Sequence, residues 1–260
     1  MEVIIRESTE AACGMVAQII ARSVRGKAET VLGLATGRTM ENVYGKLAQM
    51  HQSDGLDFSF CRTFNLDEYI GLEKDDINSY HHYMTEHLFR HINIKPGNTH
   101  LPDGTAKDLK AEARAYEEKI RACGGIDLQL LGIGRSGHIG FNEPLSSLMS
   151  RTRDKVLAPE TMAQNGPLFI GGEMPKRAMT MGVGTILESR RALVLVTGEE
   201  KADILAQSVE GPVTSRVTAS ALQMHPSCVV VVDEAAASKL HDRDYFRWIY
   251  ENEPEWDALR

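Results

Sequence analysis

Short, almost unbroken apolar runs alternate with stretches of helical periodicity along most of this chain. Val3–Ile5 reads as a strand before a helix over Thr9–Ser23. Thr30–Leu34 precedes a helix over Thr39–His51, and Cys61–Leu66 precedes, after a loop, a helix over Tyr80–His91. A helix over Ala106–Cys123, with Glu117, Glu118, Lys119 and Arg121 on a wet face, leads into a strand over Ile126–Ile133. Ala192–Thr197 is followed by a helix over Glu200–Val209, and Cys228–Val232 by one over Glu234–Leu240. Strands that are apolar on both faces and separated by helices predict an α/β fold: a mostly parallel, doubly wound, Rossmann-like sheet with helices on both faces. Right-handed crossovers put every strand's carboxyl end on one edge, where ligands bind. The chemistry is therefore expected just after the strands.

Bulk and charge narrow the choice. The 260 residues, 42% of them apolar, fit one domain spanning 1–260. A formal charge of −7 argues against nucleic acid as partner, because phosphate backbones select clustered Lys and Arg. It leaves room for a small anionic ligand in a locally positive pocket. Cys13, Cys61, Cys123 and Cys228 are too dispersed for a zinc ribbon or a disulfide framework. No basic segment followed by a long apolar core opens the chain, and no apolar run approaches the ~20 residues of a membrane span. The expectation is a cytoplasmic protein with no membrane partner.

Four segments after strands carry unusual chemistry. Gly33-Leu34-Ala35-Thr36-Gly37-Arg38-Thr39 joins a strand to a helix, and free amides at such a turn attract an anion. It is neither a P-loop nor GxGxxG, and a plain turn capped by Thr39 fits the local pattern equally. Thr63-Phe64-Asn65-Leu66-Asp67-Glu68-Tyr69 puts two carboxylates beside an apolar core, with Asp67 the candidate base. Gly132-Ile133-Gly134-Arg135-Ser136-Gly137-His138-Ile139-Gly140-Phe141-Asn142-Glu143 sets His138 in a glycine-rich turn with Glu143 five residues on, a tunable acid/base pair. Thr197-Gly198-Glu199-Glu200-Lys201 places a cation in the first turn of a helix, unfavourable unless an anion is near; Glu199 and Glu200 also serve that need. Gly134–His138 fails as a nucleophile elbow, since His138 stands where glycine is required. His82, His87 and His91 share a predicted helix without the HExxH glutamate and read as surface histidines, not zinc ligands.

Taken in order, LATGRT, FNLDEYIGL, LGIGRSGHIGFNEP, SSLMSRTR and MTMGVGTIL resemble the successive signatures of glucosamine-6-phosphate deaminases, over nearly the whole chain. GHIGFNEP separates them from the related 6-phosphogluconolactonases. The resemblance implies conversion of glucosamine 6-phosphate and water to fructose 6-phosphate and ammonia, without metal or organic cofactor. Asp67 would move the proton from C2 to C1, His138 would open the ring, and Glu143 would orient His138. Thr36, Gly37, Arg38 and Lys201 would hold the phosphate, with Thr39, Glu68, Gly134 and Gly137 also in the substrate site.

Two departures from the family pattern stand out. Ser136 replaces a frequent aspartate beside the catalytic histidine, so Glu143 is expected to carry more of the tuning of His138. Pro167 stands where many relatives have an arginine that reaches the phosphate, and Arg38 is expected to replace it. Residues 157–176, rich in Gly and Pro, are expected to form a mobile lid, although a static loop has the same composition. Ser146, Arg153, Lys155 and Tyr245 match a regulatory site that some relatives carry at a subunit interface, with Val156 replacing a threonine; a solvated basic strand is the competing reading. The aromatic tail, 241–260, is expected to pack on the body or on a neighbouring copy, and a homo-oligomer is the expectation. Rival functions on the same scaffold are a galactosamine-6-phosphate isomerase or deaminase, a phosphosugar lactonase, and a non-catalytic sugar-phosphate sensor.

Overall fold

The structure, a computed structural model, describes residues 1–260. Its centre is a seven-stranded sheet built from β1 (Glu2–Arg6), β2 (Val31–Leu34), β3 (Arg62–Asn65), β5 (Thr99–His100), β6 (Leu128–Leu131), β9 (Ala192–Val196) and β10 (Cys228–Asp233). The spatial order is β1-β10-β9-β6-β2-β3-β5 and every pairing is parallel. The central strands β2, β6, β9 and β10 are buried along their whole length, as runs such as ALVLV and CVVVVD require. Helices α1 (Thr9–Gly26), α2 (Arg38–Asp54), α3 (Tyr80–His87), α4 (Leu109–Ala122) and α7 (Ala202–Val209) cover the sheet. Ser8 caps α1 and Asp108 caps α4 by accepting hydrogen bonds from first-turn amides.

The segments without an apolar run hold a second sheet that the alternation does not disclose. β4 (Asp67–Tyr69), β7 (Arg153–Val156) and β8 (Arg177–Thr180) pair antiparallel in the order β4-β8-β7. β4 and the short helix α5 (Pro159–Asn165) contribute to a cavity at the carboxyl edge of the main sheet, and α6 (Val183–Leu187) leads from β8 to β9. At the other end of the chain, α8 (Arg243–Asn252) packs along edge strand β1.

Several boundaries differ from the sequence reading. The helix expected over Glu234–Leu240 is only a 3₁₀ segment, Ala236–Lys239, and Phe89–His91 is a 3₁₀ turn after α3. Glu117 is not on a wet face. It is buried, and its carboxylate accepts hydrogen bonds from Thr152, Thr185 and Arg151. Thr39 is not a cap either: α2 begins at Arg38 after Gly37, with no side chain bonded to its first amides. That leaves the N-terminus of α2 open towards the sheet edge. All four cysteines are free, three of them buried.

Candidate active site

At the carboxyl edge lies a cavity of about 880 Å³, lined by the turns after β2, β6 and β9 and by residues 164–170. Thr36, Gly37, Arg38 and Thr39 reach it from the β2 side, Gly134, Arg135 and His138 from β6, and Lys201 from β9. Gly37 has φ +125°, which a side chain would resist, and the turn presents the uncapped amides of α2. Lys201 Nζ donates to the Ile133 carbonyl at 2.8 Å, so its ammonium sits over the end of β6. Burial, then the neighbouring Arg135, lower its pKa.

Asp67 opens β4 and faces this cavity. Only 6% exposed, its carboxyl is pushed up to about 8, by burial first and the adjacent Glu68 second, partly offset by the Phe141 amide. The small sheet fixes its place. Asp67 pairs with Thr180 on β8, and Thr180 Oγ1 accepts from the Phe141 amide at 3.0 Å, tying the β4 and β6 segments together. Gly140, at φ +53°, lets the β6 turn pass close by: a Cβ there would stand 3.4 Å from Asp67 Oδ2. Tyr69, Tyr80, Phe141 and Phe169 wall this part of the cavity, with ring centroids of Tyr69 and Tyr80 4.9 Å apart. The sequence signal for this wall is only a scatter of aromatics across four segments.

His138 uses Nδ1 away from the cavity. Ser136 Oγ is hydrogen-bonded to it at 2.8 Å, and Glu143 Oε2 lies at 3.2 Å, within ion-pair reach. Glu143 Oε1 accepts from the Ala158 amide at 3.1 Å. Burial pushes the Glu143 carboxyl up, but the His138 imidazole, Thr161 and the Ala158 amide outweigh it, and the pKa is lowered. Nε2 is left free of Ser136 and Glu143 to act on a ligand. Ser136, which replaces the frequent aspartate, thus holds the hydrogen bond to the ring, and Glu143 supplies the nearby charge.

Two residues expected in the substrate site lie elsewhere. Glu68 does not line the cavity: its carboxylate accepts from the amides of Tyr69, Tyr80 and His81, fastening the start of α3 to β4. Gly137 is turned inward, where a Cβ would meet Val217 Cγ1 at 2.7 Å. Of the regulatory set, Ser146 is buried, and Arg153 spends its guanidinium on Asn142 Oδ1 and the Arg151 carbonyl. Lys155 is on β7 with Arg153, whereas Tyr245 is on α8, exposed, with its ring tilted against that of Phe246. No hydrogen bond or ring contact brings these four together. His87 reaches the cavity rim, and His91 bonds the Glu86 carbonyl.

Comparison with known proteins gives a consistent result. The family model for glucosamine-6-phosphate isomerases/6-phosphogluconolactonase matches residues 6–234. A glucosamine-6-phosphate deaminase of Hahella chejuensis is 51% identical over 96% of this chain and 95% of its own length. One of Streptomyces coelicolor is 46% identical over the full length of both. The structure of a monomeric glucosamine-6-phosphate deaminase, 44% identical, superposes with a TM-score of 0.89 over 92% of this chain and all of that one. The 6-phosphogluconolactonase of Leishmania guyanensis, 20% identical with a TM-score of 0.71, shares the fold. Match length, identity and superposition agree with the site geometry, and the chain belongs to the glucosamine-6-phosphate isomerase/6-phosphogluconolactonase family.

Proposed function

We propose that this chain deaminates glucosamine 6-phosphate, turning the amino sugar phosphate and one water into fructose 6-phosphate and ammonia. The observation that carries this reading is a buried carboxylate, Asp67, facing the same cavity as His138 and the open N-terminus of α2. Lactone hydrolysis needs an activated water and no base aimed at a carbon acid, so Asp67 favours the isomerising reaction. The relatives named as deaminases are far more similar to this chain than the lactonases are.

In this mechanism the phosphate rests on the Thr36–Thr39 turn and Lys201, with Arg38 taking the part of the guanidinium missing at Pro167. Nε2 of His138 passes a proton from the C1 hydroxyl to the ring oxygen as the C1–O5 bond breaks, while Ser136 and Glu143 fix the ring through Nδ1. Asp67 then removes the C2 proton and returns it to C1 while the substrate's ammonium gives up one proton to O1, leaving an iminium at C2 beside a C1 hydroxyl. Water adds to that carbon and ammonia leaves. Burial of Asp67 raises its basicity, which helps it accept a proton from carbon. Residues 157–176 act as the lid. Asn165 Nδ2 donates to Tyr69 OH, and Asn78 exchanges two hydrogen bonds with the backbone of Ile170, so the segment is docked over the aromatic wall.

The test is ammonia release from glucosamine 6-phosphate by the purified protein, with Asp67→Asn as control. Release that disappears in the variant supports the reading. A wild type that binds the sugar phosphate without releasing ammonia overturns it and points to the galactosamine epimer, the lactone or a sensor.

Assembly and location belong to the same proposal. The exposed Tyr245 and Trp248 of α8 favour a homo-oligomer. Light scattering that returns one chain mass would overturn this, and the 44%-identical relative is itself monomeric. No helix is long and apolar enough to cross a membrane. A cytoplasmic site of action is the accompanying inference, checked by fractionation.

A further inference from the structure

Arg135 has no part in the roles above, yet its position is determined by the sheet. β9, β6 and β2 are neighbours in that order, so the turn after β6 lies between the turn carrying Lys201 and the turn carrying Arg38. The backbone of the β6 turn is closed on itself: the Gly134 amide donates to the His138 carbonyl and the Gly137 amide to the Gly134 carbonyl, both at 2.9 Å. Arg135 therefore projects from a fixed point. Lys201 Nζ is anchored on Ile133 O, two residues earlier, which brings ammonium and guanidinium to the same end of the cavity.

Elsewhere on the surface, arginines such as Arg151, Arg243 and Arg247 meet carboxylates. Arg135 and Arg38 form no ion pair, although Glu41 and Glu200 also reach the cavity. Gathering three cations at one edge of a protein of net charge −7 is unfavourable without an anion to share them. A phosphate dianion lying over the uncapped start of α2 supplies that anion, and a planar guanidinium meets two of its oxygens at once.

We propose that Arg135 is a phosphate-binding residue of this site, the middle member of a cationic cradle completed by Arg38 and Lys201. The proposal rests on the sugar-phosphate reading for its natural ligand, and on strand order and the missing ion pair for its geometry. Its contact is with the phosphate, remote from the carbons that react, so it contributes equally to substrate and transition state.

The experiment compares wild type, Arg135→Ala and Arg135→Lys in steady-state turnover of glucosamine 6-phosphate, and measures binding of inorganic phosphate by calorimetry. Arg135→Ala is expected to raise KM by about ten- to a hundredfold with kcat within about twofold, and to weaken inorganic phosphate by a similar factor. Arg135→Lys should recover part of both. Unchanged KM and unchanged phosphate binding in Arg135→Ala would overturn the proposal, as would a fall in kcat at constant KM, which would place Arg135 in the service of His138. If the wild type releases no ammonia but binds phosphate and Arg135→Ala does not, the cradle stands and the deaminase reading fails. A wild type that binds no phosphate overturns the cradle.

Discussion

Gly134 and His138 are so close that a Cβ on Gly134 would lie 2.1 Å from His138 Nε2. The absent side chain leaves the space in which the imidazole presents its free nitrogen. Gly134→Ala is therefore expected to keep the fold, since the ring can swing aside, and to lower kcat by at least about a hundredfold, the usual scale of a lost acid/base group. Circular dichroism and an ammonia assay check both halves. Near-normal turnover would mean that Nε2 is not the working atom.

Asp67 gives a pH prediction with a definite sign. A base must be ionised, so kcat/KM should rise with pH through about 8, the value to which burial and Glu68 push this carboxyl. Stability runs the other way. The folded state holds the proton more tightly than the unfolded chain, so the favourable contribution present at low pH is lost as pH rises from about 4, the unfolded value, to about 8. Asp67→Asn should stabilise the fold by several kcal/mol at pH 9, as an order of magnitude, and by much less at pH 5. Denaturant melts at the two pH values test this; an equal gain at both would refute it.

Glu68 is expected to matter for stability more than for binding. Glu68→Ala strands two amides at the start of α3 and that of Tyr69 on β4, each costing about 1–3 kcal/mol if left unsatisfied, though water entry will recover part. A fall in melting temperature with an unchanged KM is the expected result. A changed KM at constant stability would return Glu68 to the substrate site.

Ser136 and Glu143 share one imidazole nitrogen, so their substitutions should differ in kind. Glu143→Gln removes the charge 3.2 Å from Nδ1 and should lower kcat by about ten- to a hundredfold while shifting the pH profile. Ser136→Ala removes a neutral hydrogen bond at 2.8 Å and should lower kcat by less than about tenfold without moving the profile. Full activity in Glu143→Gln would refute the tuning role.

Asn78 is one of the side chains that tie residues 157–176 to the rest of the fold. Asn78 donates to the Ile170 carbonyl at 3.0 Å and accepts from the Ile170 amide at 2.8 Å. Asn78→Ala should make residues 157–176 more open to proteolysis and raise KM a fewfold. Unchanged digestion kinetics would show that the remaining contacts, such as Asn165 to Tyr69 and the Ala158 amide to Glu143, hold the segment without Asn78.

Much of the scaffold was legible in the chain. Buried parallel strands need apolar side chains on both faces, so β6, β9 and β10 appear as nearly unbroken runs; β6 and β9 lie within the spans that their runs predict, and β10 extends one residue beyond, to Asp233. The small sheet was not legible, because β4 and β7 read as DEY and RDKV, polar strands whose partners lie far along the chain. Glu117 was misread for a related reason: on α4 it sits among charged neighbours, and only Thr152, Thr185 and Arg151, arriving from other segments, make its burial tolerable.

The sequence by itself determined the order of strands and helices and the segments that meet at the sheet edge, since these follow from local apolar pattern and fixed crossover handedness, while motifs such as GHIGFNEP pointed to the family by resemblance. Only the tertiary structure decided which side chain of each segment faces the cavity. It sent Asp67 inward and gave Glu68 to three amides, turned Gly137 to the core and put Arg135 between Lys201 and Arg38. The physical reason is that burial and hydrogen-bond partners of a polar residue are set by elements distant in the chain, and those partners exist only once the sheet has assembled.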